Sequence, residues 1–471
     1  MRIRTFPPAA LNVKDTAVLL RFLIVTCSIL GLTNCVNAET PRMSLATFNV
    51  DVTPPLGSPL CDGLVPPADR IDDPLSARGI VLLGCGEPIV LCAVDWVGIG
   101  NSGHDAWRAA LAEAAGATAD RVAVHALHQH DAPGCDFAAE ELLAAHGLAG
   151  QQFHVTFARE AIQRVADAIR AAIPKARTVT HLGLGAGQVE QVASNRRILG
   201  PDGKVQFVRF SASRDPQLQA APEGTIDPEV QLVSFWDGEQ PLTVLSYYAT
   251  HPQSYYGRGG VSAEFVGLAR SAREAALPGV PHIHFNGAGG NVAAGKYNDG
   301  SPEKRPLLTA RLAAGMQAAW EATTKAPLTA DAVEWRVAPV RLSPAERLVE
   351  ADLLRRIDNP DAAMRDRIAA ARGLIWLNRA TQGPPIELSC LRLGRAYLLH
   401  MPGELFVEYQ LAARALRPND FVAMAAYGDY GPGYIGTKIA YSQGGYETSA
   451  VSRVSPEAEE TLMQAIRELL R

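Results

Sequence analysis

The 471-residue chain carries 44 Lys and Arg against 49 Asp and Glu, a formal net charge of −5 that excludes the basic footprint of a nucleic-acid binder. At 47% hydrophobic and 20% charged it has ordinary soluble composition, enough for one large domain or two to three small ones. No basic run alternates with aromatic residues, so no nucleic-acid partner is expected.

Arg2, Arg4, Lys14 and Arg21 precede an apolar run, Phe22 to Leu32, and Val36-Asn37-Ala38 is small at both cleavage-determining positions. This pattern predicts a secretory signal over residues 1–38 and a secreted or periplasmic protein. The run is short for a bilayer span. Lipoprotein processing at Cys35 competes with this reading, but Asn34 is a poor fit before a lipidated cysteine. Cleavage leaves Cys61, Cys85, Cys92, Cys135 and Cys390, an odd number without a Cys-x-x-Cys unit, so a cysteine zinc site is not expected.

From about residue 44 onward, short β-type runs alternate with amphipathic helical stretches. Pro88 to Asp95 reads as a buried strand, Gly103 to Ala115 as a helix, and Arg121 to His125 as the next strand. That order implies parallel pairing. Residues 137–172 are mostly helical in pattern. Further strands are expected at 177–183, 204–211, 230–237, 241–250, 280–286, 333–341, 387–400 and 421–427. Residues 343–382 break the rhythm. Ser343-Pro344-Ala345-Glu346 reads as a capping box with proline at the first helical position. Two helices parted by Asn359-Pro360-Asp361 would form a surface hairpin, an insertion and not a separate domain. The expected fold is α/β: a mixed, largely parallel central sheet or sheets with flanking helices, and ligands in loops at strand carboxyl ends.

Those loops hold the candidate chemistry. His128 and His130 follow the strand at 121–125, and His251 follows 241–250. The turn Gly287-Ala288-Gly289-Gly290-Asn291 follows 280–286; with no Lys-Ser/Thr after it, a P-loop is excluded and a tight-turn role is expected. Glu404 follows Pro402-Gly403 and opens a helix, and Tyr434 closes the run Tyr427 to Tyr434. Two histidines, a glutamate and a tyrosine suit a catalytic Zn²⁺. No His-Glu-x-x-His is present, so each residue alone has a plainer reading: a loop histidine, a first-turn acid complementing a helix dipole, a packing tyrosine. His128-Gln129-His130 is an even choice, since His-x-His puts two rings on one face of an extended segment.

Taken together the segments resemble the neutral (non-lysosomal) ceramidase family, with gaps, from about residue 45 to 455. Asn49-Val50-Asp51-Val52-Thr53-Pro54-Pro55 is similar to the family's opening, and Asp73-Pro74-Leu75-Ser76-Ala77-Arg78 to its second landmark. The family's His-Thr-His-Ser-Gly-Pro-Gly looks like His128 to Gly134, and its Asn-Arg-Ser like Asn195-Arg196-Arg197. Gly433-Tyr434 and Gly445-Tyr446-Glu447 are similar to its two closing tyrosine segments. The resemblance implies His128, His251, Glu404 and Tyr434 as Zn²⁺ ligands. It implies His130 as a catalytic histidine, Arg196 as an active-site arginine and Tyr446 as a substrate-side tyrosine. Asp131 stands where the family has a serine, and a carboxylate there is expected to orient a histidine. The activity implied is zinc-dependent hydrolysis of the N-acyl amide of ceramide or a related lipid, which allows peripheral contact with a membrane surface.

Two departures stand out. Ala293, in Gly290-Asn291-Val292-Ala293-Ala294-Gly295, occupies the place of a family serine, and an alanine neither donates a hydrogen bond nor attacks a carbonyl. The chain ends soon after Tyr446, so residues 39–471 are expected to be one catalytic domain without the family's C-terminal β-sandwich. Two alternatives follow: a zinc hydrolase of a different amide or ester, and a catalytically weak binding protein on the same scaffold.

Overall fold

The computed structural model describes residues 42–471; the expected signal segment lies outside them. Three sheets share one plan. In the first, β1 (Ser44–Asp51), β2 (Ser76–Leu83) and β3 (Ile89–Val94) form an antiparallel meander, and α1 (Asn101–Ala115) crosses to β4 (Val122–Ala126), parallel to β3. Helices α2 (Phe137–Ala145) and α3 (Val155–Ala172) follow. The second sheet repeats the plan with β5 (His181–Gln188), β6 (Glu229–Asp237), β7 (Gln240–Tyr248), the crossover α4 (Glu264–Ala276) and β8 (His282–Asn286). Helix α5 (Lys304–Glu321) leads to the third sheet. There β9 (Val333–Val340) is followed by an arm of α6 (Glu350–Asp358) and α7 (Met364–Gln382), then β10 (Ile386–Leu393), β11 (Ala396–His400), the crossover α8 (Val407–Leu416) and β12 (Phe421–Ala425). Helix α9 (Ala458–Leu469) ends the chain.

The fold is thus mixed α/β, but the sheets are mainly antiparallel, with one parallel pair at an edge of each. The strand–helix–strand order correctly indicates parallel pairing locally. It misses the two antiparallel pairings that precede each crossover, and so does not support a largely parallel sheet. The expected strand 387–400 is itself a hairpin, turning at Gly394 with φ +60°. The expected capping box does not start a helix. Ser343 and Ala345 are bonded through their backbones to Ser455 and Arg453, Pro344 bridges Val454, and helix begins only at Glu350. Pairing with the chain's own C-terminal segment overrides the local signal. The arm is also less superficial than its charge suggests, because Ile368, Leu374 and Trp376 of α7 are buried.

Period-two alternation explains how the sheets are covered on both faces. In β3, Val90, Cys92 and Val94 face a core shared with α1 and α3, while Ile89, Leu91 and Ala93 face a second core. That second core gathers the inner faces of all three sheets, including Val244 and Phe285 from the second and Leu391 and Leu398 from the third. Helix α3 buries Phe157, Ala161, Val165 and Ile169 at helical spacing, which makes it a lid on the first core.

The carboxyl ends of the three crossover strands are stitched into a triangle. Ala126 N donates to Tyr427 O at 2.9 Å, Ala426 N to Asn286 O at 2.9 Å, and Asn286 Nδ2 to Leu127 O at 2.5 Å. The loops that leave these strand ends therefore emerge beside one another. The five described cysteines are free, and among the described residues no helix is long and apolar enough to cross a membrane.

Asp136 caps α2 through Ala139 N and accepts from Asn101 Nδ2 at 2.6 Å; burial pushes its carboxyl up to about 7. A raised carboxyl means that the folded state binds the extra proton between about pH 4 and 7. Stability falls as pH rises through that window. Asp136→Asn cannot ionise, so it is expected to raise the thermal midpoint relative to wild type at pH 8 by about 2–4 °C and to do less at pH 5. Melting curves at the two pH values check this.

Candidate metal centre

Each loop past a strand end delivers a distinct group. His128 leaves β4 in the left-handed region, φ +70°, a costly conformation for a residue with a Cβ. Its backbone N–H donates to Trp96 O and its Nδ1 lies 2.6 Å from Val97 O. His251 follows β7, with Nδ1 2.6 Å from Gly289 O. Both rings therefore donate from Nδ1 to backbone carbonyls, which leaves the Nε2 lone pairs facing one point. Glu404 follows β11. Its Oε2 is 3.2 Å from His128 Nε2 and 3.0 Å from His251 Nε2. All three side chains are buried, and their ligand atoms lie within 4.8 Å of one another.

Glu404 does not open a helix as expected. It sits in a two-residue extended bridge, Glu404–Leu405 against Tyr434–Ile435, and α8 starts three residues later. This bridge explains why Tyr434 is present, with its hydroxyl 3.0 Å from His251 Nε2 and accepting from Arg196 Nη1 at 2.9 Å. The glycine turn serves close packing: a Cβ on Gly290 would fall 2.2 Å from Glu404 O. Ala293 lies wholly buried in a short strand paired with Ser194 and Asn195, the segment that leads into Arg196.

His130 joins the cluster, with Nε2 3.4 Å from His128 Nε2 and its Nδ1 buried without a partner. Its ring packs edge-on to Tyr256 at 4.5 Å. Tyr446 stands further out, its ring 5.8 Å from that of Tyr434. It is 39% exposed, beside Phe210 at 46%, and Tyr256 is 43% exposed, so aromatic surface rims the cluster. Asp131 does not orient a histidine. It accepts from Gly257 N at 2.8 Å, and burial pushes its carboxyl up to about 6; backbone carbonyls hold the two rings instead.

Burial alone would raise the Glu404 carboxyl, but the flanking imidazoles of His128 and His251 hold it well below the usual carboxylate range. Burial lowers His251, and it lowers His130 well below the ordinary imidazole value, with the neighbouring rings adding to the effect. Burial lifts the Tyr434 phenol, which stays protonated. The centre thus holds an anionic carboxylate beside the two imidazoles. Two imidazole nitrogens and one carboxylate form a donor set that fits a divalent transition ion such as Zn²⁺.

Several contributors have no role assigned from the sequence. Glu447 is fully buried, 3.0 Å from Arg196 Nε and 3.4 Å from Arg197 Nη1, so it anchors the arginine that reaches Tyr434. Tyr427, φ +61°, stacks on His128 at 4.8 Å. Tyr430 donates to Glu404 Oε1 at 2.7 Å. Asp95 and Arg270 form a buried pair at 2.8 Å under the His128 loop, where Gln129 Nε2 also reaches Asp95 at 3.1 Å.

Removing Glu447 strands two buried guanidinium groups. Glu447→Ala is expected to cost about 3–5 kcal/mol of unfolding free energy, read by chemical denaturation. A ligand that binds only the folded state stabilises it by about 2.7 kcal/mol at 100 times its dissociation constant. Zn²⁺ should therefore raise the melting temperature of chelator-stripped protein, and Glu404→Gln should abolish the rise.

No protein-family profile and no curated protein sequence matches the chain. Solved structures do match it. One is a ceramidase complexed with C2, at a TM-score of 0.66 and 16% identity, covering 91% of this chain and 75% of that one. Another is the neutral ceramidase from Pseudomonas aeruginosa, at 0.64 and 17%, covering 91% and 74%. Over its described residues the chain has the neutral ceramidase fold.

Proposed function

We propose that the protein is a metal-dependent amidohydrolase that uses Zn²⁺ and cleaves the N-acyl linkage of a ceramide-like lipid. The observation that carries this reading is the sharing of Glu404 Oε2 by the Nε2 atoms of His128 and His251, with both Nδ1 atoms turned to backbone carbonyls. The shared fold with ceramidases is consistent with it. His128, His251 and Glu404 would hold the ion, with Tyr434 beside them. A Zn²⁺ in that position supplies Lewis acidity toward a substrate carbonyl.

The chain's own residues would divide the remaining work. Arg196, kept charged by Tyr434 and Glu447 despite its burial, and the protonated Tyr434 present donors to developing negative charge on the carbonyl oxygen. His130 starts neutral, so it has to receive a proton from the attacking water before it can protonate the leaving nitrogen. Tyr446, with Phe210, offers an apolar, half-exposed surface to an acyl or sphingoid chain. A secreted or periplasmic location fits a substrate met at a membrane surface.

Ala293 favours a second reading, a different amide or ester on the same centre, because the serine of the resemblance is missing from this buried strand. Metal analysis of the purified protein with an acyl-chain series of N-acyl substrates tests both. The first reading expects one zinc per chain, faster hydrolysis of long-chain N-acyl sphingoid bases than of short amides, and a loss of roughly 10²-fold or more in His251→Ala. A preference for short amides or esters transfers the assignment to the second reading, and the absence of stoichiometric metal defeats both.

A further inference from the structure

We infer that Tyr430 is the positioning residue of the Glu404 carboxylate, held in place by Arg372 of α7, so that the helical arm braces the metal centre. The inference rests on the metal reading of that centre. Glu404 has two oxygens with different surroundings. Oε2 faces the two imidazoles, while Oε1 accepts the Tyr430 hydroxyl at 2.7 Å. A carboxylate fixed at one oxygen by a buried donor cannot swing the other away from its ligand position without losing that bond.

Tyr430 in turn has little freedom. Its N–H donates to Ile99 O at 3.0 Å, and its ring lies so close to Gly98 that a Cβ there would fall 2.4 Å from it. The Arg372 guanidinium lies 5.0 Å from the ring centroid. Arg372 is itself anchored by Asp62 Oδ2 at 2.8 Å, and Gln152 Nε2 holds the other Asp62 oxygen at 3.2 Å. Asp62 occupies the left-handed region at φ +55°, so its own placement is over-determined. Two helical turns on, Arg379 pairs with Asp429, the residue before Tyr430, at 3.2 Å. Trp376 Nε1 donates to Arg453 O at 2.7 Å and fixes the helix between the two arginines. The turns of α7 that carry Arg372 and Arg379 are therefore committed to the loop that supplies Tyr430.

Titration of the metal-free full chain with Zn²⁺ against a chromogenic chelator tests this. Tyr430→Phe keeps the ring and removes the hydroxyl. It should weaken Zn²⁺ binding about 10–100-fold, while the melting temperature of the metal-free protein stays near wild type. Arg372→Met should weaken it several-fold. Because Arg372 acts through Tyr430, the double variant should bind no more than about twofold weaker than Tyr430→Phe alone. Asp366→Asn, exposed on the same helix, should leave the affinity unchanged. Tyr430→Phe binding within twofold of wild type overturns the positioning role, and additive losses in the double variant overturn the part assigned to the arm. Both results leave the metal reading standing. A wild type that binds no ion removes that reading, and this inference with it.

Discussion

The triangle of hydrogen bonds among Ala126, Tyr427, Ala426, Asn286 and Leu127 is the constraint on which the centre depends. Each sheet alone is an ordinary meander with one crossover. Where the three crossover strands end side by side, the His128 loop past β4 meets the loops past β7 and β11 that carry His251 and Glu404. His128 comes from the first unit, His251 from the second and Glu404 from the third. Buried polar groups must be paired, and here their pairing across units also helps set the relative placement of His128, His251 and Glu404.

Local costs are accepted around this point. His128 and Tyr427 both take left-handed backbone conformations without being glycine, and they stack on each other. Such conformations persist only where the surroundings over-determine them. Here they are fixed by Trp96 O, Val97 O and the triangle itself. The ring orientation of each histidine is written into the backbone. No carboxylate is needed for it, which frees Asp131 for a loop contact with Gly257.

What could be read from the chain follows from range. Strands with strong apolar runs, such as Ile89–Val94 and His282–Asn286, are legible because both faces are buried. The position of His128, His251 and Glu404 past strand ends is legible too, since loops follow directly from strands. Sheet sense is not, because pairing between β1, β2 and β3 depends on partners that periodicity does not name. Ser343 to Glu346 shows the opposite failure: a good local helix start is overruled by Arg453 to Ser455, about a hundred residues away. The roles of Tyr430 and Glu447 are equally hidden, since they lie in a hydrogen bond to Glu404 and in ion pairs to Arg196 and Arg197, all partners distant in the chain.

The threefold repetition of the plan has a thermodynamic consequence. An ion held by one ligand from each unit is lost when any single unit opens locally, and it opposes the opening of all three alike. Occupancy would then add one more tie among three sheets that already share a core, making their local fluctuations more cooperative. Amide exchange in β4, β7 and β11 would slow together when the ion binds.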